Sequence, residues 1–131
     1  MSKTTPKLNQ KGIVSIAPIL VLLLLAGGAW ASGYRTVTPE QLKAMLAHKD
    51  FFLLDVHVPE QKHIPGTDAF IDFRTIKQHT DLLPRDKNTK IVVYCLGDTM
   101  SRTAASDLVD LGYTQVYDLL GGTWAFRQLS E

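Results

Sequence analysis

Cysteine is almost missing from this sequence: Cys95 is the only one in 131 residues. One thiol excludes an intrachain disulfide and a cysteine-based zinc cluster. Histidine is sparse too, and His48, His57, His63 and His79 lack the i, i+4 spacing of a helical metal pair. Neither a metal nor an organic cofactor is expected. A basic patch is also absent. From Tyr34 onward eleven Lys/Arg stand against thirteen Asp/Glu, a net of about −2. A mildly acidic domain without clustered Lys or Arg has no electrostatic footprint for nucleic acid.

Charge is missing altogether from residues 13–32, which read IVSIAPILVLLLLAGGAWAS, and residues 1–12 hold Lys3, Lys7 and Lys11 but no acid. A basic start before an apolar run is an export or anchoring signal. The run can cross a bilayer as a helix at ~1.5 Å per residue, which makes it a transmembrane anchor if it is uncleaved. Alternatively, Gly27-Gly28 ends the most apolar part, and Ala29-Trp30-Ala31 supplies the small residues of a signal-peptide cleavage site near Ala31. Both readings place the following domain in the cell envelope, on the non-cytoplasmic side (periplasmic or secreted if cleaved), with the lysines remaining inside. The expected organisation is therefore a basic N-terminus plus anchor or signal over 1–33 and one soluble domain over 34–131. The roughly 98 residues of that domain suffice for a single core.

Strand and helix signals alternate along the domain. Thr38-Pro39-Glu40-Gln41 has the cap, the first-turn proline and the third-position amide of a helix start. Phe51–Val56 and Ile91–Cys95 read as strands buried on both faces, and Ala69-Phe70-Ile71 as a short one. Pro65-Gly66 marks a turn, 74–83 is weakly helical, and 84–90 is a polar loop. Helical spacing over Ser101–Leu111 stops at Gly112, Gln115–Leu120 is a last strand, and Gly121-Gly122 leads into a last helix. The alternation predicts an α/β domain with a mostly parallel sheet flanked by helices, preceded by the N-terminal hydrophobic helix.

In such sheets ligands bind beyond the carboxyl ends of strands, and Cys95 stands at one. Leu96-Gly97-Asp98-Thr99-Met100 then forms a loop, and a helix begins near Ser101. Unpaired amides and the positive end of a helix dipole stabilise an anion, so a sulfur there is favoured as a nucleophilic thiolate. A free cysteine ending an apolar strand is equally consistent with plain core, and this segment alone leaves both readings open.

The flanking motifs resemble those of the rhodanese-like sulfurtransferases. In that family a strand ends in Asp-Val-Arg and a His-Ile-Pro-Gly-Ala turn follows. A Tyr-Cys strand end comes next, with a short loop and an alanine-rich helix. A Leu-Gly-Tyr-x-x-Val strand and a Gly-Gly-x-x-x-Trp segment close the pattern. This chain has Asp55-Val56-His57, His63-Ile64-Pro65-Gly66-Thr67, Tyr94-Cys95, Ser101 with Ala104-Ala105, Leu111-Gly112-Tyr113 with Val116, and Gly121-Gly122-Thr123-Trp124, in that order across 36–129.

The resemblance implies that Cys95 takes a sulfane sulfur from a small donor, thiosulfate or a persulfide. It implies that Cys95 holds the sulfur as a persulfide and passes it to cyanide or to a thiol acceptor, small or on a partner protein. The substrate-binding loop would be Leu96, Gly97, Asp98, Thr99, Met100 and Ser101. Asp55 would support the loop base and Arg102 would restore positive charge, while His63 and Trp124 would pack. Many members carry Arg directly after the cysteine and Gly at the third position; here those places hold Leu96 and Asp98. A catalytically weak binding or sulfur-carrier module is the alternative. Phosphatase or arsenate-reductase chemistry needs Cys-x5-Arg to clamp an oxyanion, whereas Ser101 occupies that position and Arg102 follows one later.

Overall fold

In a computed structural model of the chain, residues 33–130 are described. The hydrophobic helix expected at 13–32, as anchor or signal, lies outside the described residues. Among the described residues no helix is long and apolar enough to cross a membrane.

Five strands form one sheet: β1 (Arg35–Val37), β2 (Phe52–Asp55), β3 (Ala69–Phe70), β4 (Lys90–Tyr94) and β5 (Gln115–Leu119). Their order is β1-β5-β4-β2-β3, and every pairing is parallel. Among the described residues the helices are α1 (Pro39–Leu46), α2 (Thr99–Asp110) and α3 (Gly122–Gln128), with short 3-10 segments at Phe73–Gln78 and Thr80–Leu82. Thr38 caps α1 as expected: its hydroxyl accepts from Gln41 N at 3.1 Å, while Gln41 Oε1 accepts from Thr38 N at 2.9 Å. β1 escaped the sequence reading because its three residues are too few to show a period.

The central strands are apolar on both faces because both faces are covered. Ile91, Val93 and Cys95 pack with Ala104, Ala105 and Leu108 of α2 and with Ile76. Val92 and Tyr94 face the other way, with Leu42 of α1, Ile64 and Leu119. The closing motif is corrected here. Trp124, expected to pack, is 66% exposed. Counting Gly-Gly-x-x-x from Gly121 lands on Phe126, which packs on the second face.

Tyr94 ties the turn after β2 to the sheet. Its buried hydroxyl accepts from Ile64 N at 3.0 Å and lies 2.8 Å from Thr67 Oγ1. Burial drives its phenol far above the ordinary range, so it stays neutral. Tyr94→Phe would leave the Ile64 N–H buried without an acceptor. Urea denaturation should show a loss of about 1–3 kcal/mol, and an unchanged midpoint would mean that the turn is held by other contacts.

Candidate active site

β4 delivers Cys95 to the carboxyl edge of the sheet, where it is 2% exposed. The helix that follows starts at Thr99, two residues earlier than expected, because Arg102 N already donates to Asp98 O at 3.1 Å. Only Leu96, Gly97 and Asp98 therefore form the loop, and Thr99, Met100 and Ser101 are the first turn of α2.

Asp98 is the N-cap residue of α2, but its side chain makes no capping bond. Instead its Oδ1 accepts from Gly121 N at 2.8 Å, and its Oδ2 lies 3.8 Å from Arg102 Nη2. None of the backbone N–H groups from Leu96 to Ser101 donates to another group among the described residues. An uncapped first turn is the normal source of orphan amides. Here the best capping residue type is present and turned away, so the amides remain available to an anion.

The loop's carbonyls are held from the opposite side. Thr123 N donates to Cys95 O at 3.0 Å and Trp124 N to Leu96 O at 3.1 Å. Gly122, with φ +57°, fits because it lacks a Cβ. Any Cβ there would collide with Cys95 O and lie 2.6 Å from Gly97 O. The hydroxyl of Ser101 lies 3.4 Å from Cys95 Sγ and donates to Asp98 O at 3.1 Å. Ser101 is thus in the first turn, with its hydroxyl on the sulfur.

Asp55, fully buried at the end of β2, supports the site through intermediaries. It accepts from His57 N at 3.0 Å and from Gln61 Nε2 at 3.2 and 3.3 Å, and it contacts His63 Nδ1 at 2.8 Å. Gln61 Oε1 then accepts from Thr123 Oγ1 at 2.9 Å, so Asp55 reaches Cys95 O through Gln61 and Thr123. His63 is raised above its ordinary 6.5, first by the Asp55 hydrogen bond, against the opposing effect of burial, and next by Glu60. The stabilisation from that pairing is complete below pH 6.5 and fades as pH climbs through the raised value.

Gln61 and Thr123 escaped the sequence reading because nothing in their spacing marks them as partners. Asp118, fully buried on β5, escaped because an acid inside an apolar strand reads as a surface position. Arg102 is exposed and paired with Asp98. Leu96 stands at the rim, 41% exposed. No cluster of His, Cys, Asp and Glu among the described residues could hold a metal. An open groove of about 480 Å³ lies between Lys49–Phe52 and Leu82–Pro84, at the amino ends of the strands, and Cys95 is not among its lining residues.

Gly122→Ala should displace the backbone of Cys95–Gly97 while the remaining fold persists. Iodoacetamide labelling of Cys95 should slow about tenfold or more with an unchanged circular dichroism spectrum. Labelling at the original rate would show that the loop tolerates the side chain.

Comparison with known proteins agrees with this geometry. Thiosulfate sulfurtransferase/rhodanese-like domain-containing protein 3 of Mus musculus is 28% identical over 120 residues, covering 79% of this chain and 76% of the relative. Thiosulfate sulfurtransferase GlpE of Coxiella burnetii is 25% identical over 96 residues, covering 70% of this chain and 87% of the relative. The crystal structure of a rhodanese-like domain protein from Staphylococcus aureus superposes with a TM-score of 0.62 at 24% identity, covering 70% of this chain and 90% of the other. The family model for the rhodanese-like domain matches residues 38–129, with Cys95, its loop and the Gly121-Gly122 turn inside the match, and the chain belongs to that family.

Proposed function

We propose that this protein is a sulfurtransferase that carries sulfane sulfur as a persulfide on Cys95. The observation that supports this most is the run of free amides from Leu96 to Ser101 around a buried thiol, left open because Asp98 binds Gly121 instead of capping α2. Unpaired amides at a helix start can hold a persulfide anion without a metal or a fixed positive charge. The names of the curated relatives point to the same class of reaction.

In the first half-reaction the Cys95 thiolate attacks the outer sulfur of thiosulfate. A new S–S bond forms, the old one breaks, and sulfite leaves with the bonding pair. The negative charge now sits on the outer sulfur of Cys95, facing the amides. In the second half-reaction an acceptor thiolate takes that sulfur and Cys95 departs as thiolate. Covalent catalysis thus divides one transfer into two displacements. With Cys95 the only cysteine, the acceptor comes from outside the chain. The basic start and charge-free run at 13–32 support placing the domain on the non-cytoplasmic side of a membrane.

Intact mass spectrometry after incubation with thiosulfate should show the gain of one sulfur atom. Cyanide or dithiothreitol should remove it, and Cys95→Ser should never acquire it. No gain from thiosulfate, a thiosulfonate or an organic persulfide would sink the proposal and favour a binding module.

The rim should also govern donor choice. The apolar Leu96 follows the thiol directly, and Arg102 of α2 is paired with Asp98. Leu96→Arg should raise kcat/KM for thiosulfate about tenfold, the effect of one charge-assisted hydrogen bond of about 1.4 kcal/mol. The value for an uncharged organic trisulfide should stay level. Equal changes for both donors would show that the rim does not read donor charge.

A further inference from the structure

β5 is apolar inside with one exception. Val116 lies on the α2 side of the sheet, and Tyr117 and Leu119 lie on the other. Strand alternation puts Asp118 on the α2 side. Its register partner on β4 is Val93, two residues before Cys95 and on the same face, and on β1 it is the uncharged Thr36. Asp118 is fully buried. Its two oxygens are the only buried side-chain polar atoms among the described residues that lack a hydrogen-bond partner.

Three groups of the Cys95 loop and α2 act on this carboxyl. Burial pushes it up to about 6, and the nearby Ser101 hydroxyl pulls it back in part. The negative charge of Asp98 adds to the rise, and Arg102 opposes it. Ser101 is the same hydroxyl that lies on Cys95 Sγ. Buried carboxylates are normally paired. An unpaired one that shares the Ser101 hydroxyl as a neighbour with a candidate nucleophile, and that burial pushes up to about 6, is a candidate functional group.

Resting on the reading of Cys95 as the nucleophile, we propose that Asp118 is a positioning residue that shares one proton with Cys95 through the hydroxyl of Ser101. When the thiolate forms, the Cys95 S–H bond breaks and its electron pair stays on sulfur. The proton goes to Ser101 Oγ while the proton of Ser101 moves to an Asp118 oxygen. Ser101 swings from Asp98 O toward Asp118 to do so, since at rest its hydroxyl donates to Asp98 O and neither carboxylate oxygen has a hydrogen-bond partner. Nothing is oxidised or reduced, and the net charge of the three groups is unchanged. Two anions in one dry site repel; with the proton on Asp118, the sulfur is the only one of the pair that is charged. When an acceptor thiolate takes the sulfur, Cys95 leaves as a thiolate, and the proton held on Asp118 returns to it through Ser101, which restores the starting state.

The test is the pH dependence of Cys95 alkylation by iodoacetamide in the full-length protein, from pH 4.5 to 9.5. The wild type should rise in two steps, the lower near the titration of Asp118. Asp118→Asn should rise in one step and react at least about threefold faster at pH 7.5, because the repelling carboxylate is gone. A variant profile that superimposes on the wild type overturns the proposal. A second measurement needs no variant: the Asp118 carboxyl carbon is titrated by NMR in free and S-methylated protein. Blocking the thiol should collapse a two-step titration to one step, and an unaltered curve overturns the proposal. Alkylation requires no sulfur donor, so the two ideas can fail separately. Persulfide formation with coincident profiles removes the role of Asp118 alone. A two-step profile without any persulfide removes the sulfurtransferase reading alone.

Discussion

The backbone of Cys95 and Leu96 is gripped by the start of α3, and the site's chemistry follows from that grip. A trans peptide unit holds its C=O and the next N–H on opposite sides. Once Thr123 N and Trp124 N have taken the carbonyls of Cys95 and Leu96, the amides of Leu96 and Gly97 must point away from α3. The first turn of α2 adds the amides of Thr99, Met100 and Ser101, which no helical carbonyl can reach. The contact is possible only because Gly122 has no side chain and takes a positive φ, bringing its Cα against the loop backbone. One glycine thus lets α3 take the loop carbonyls and leaves the loop amides facing away from it.

The grip is braced from the far side of the sheet. Asp55 is paired in register with Tyr94, the residue before Cys95. Its carboxylate gathers His57, Gln61 and His63, and Gln61 passes the constraint to Thr123. Tyr94 pins the turn carrying Ile64 and Thr67. The motif residues around the site are therefore mostly framework. His63 answers to Asp55 and Glu60 rather than to the sulfur, and its charge strengthens the brace as pH falls.

What could be read in the sequence was what is local or periodic. The strands β2, β4 and β5, the capping box of α1, the end of α2 at Gly112 and the position of Cys95 all follow from neighbours in the chain. Contacts across long separations could not be read. The role of Asp98 is one of these, because its partner Gly121 is 23 positions away. Gln61 and Thr123 are 62 positions apart. Trp124 was taken for the packing aromatic, since a tryptophan after Gly-Gly fits the motif by type. Helical spacing gives that place to Phe126. The start of α2 was misplaced for a physical reason as well: Asp98 supplies the backbone of an N-cap while its side chain serves another element.

The two acids near the sulfur have opposite fates, and together they define how the site handles charge. Asp98 is half-exposed, bound to Gly121 N and answered by Arg102, so its charge is largely cancelled by solvent and by a cation. Asp118 is fully buried and without a hydrogen-bond partner among the described residues, so its charge is screened far less than that of Asp98. With Arg102 committed to Asp98, a thiolate at Cys95 would depend on dipoles rather than on fixed cations. Dipoles from held amides cost no reorganisation as charge develops, but they supply little long-range attraction for an anionic donor. Under the proposed transfer, selection at this mouth falls on the size and polarity of the donor beside Leu96. Two groups near the site change charge around neutral pH: His63 in the brace and Asp118 on the α2 side of the sheet.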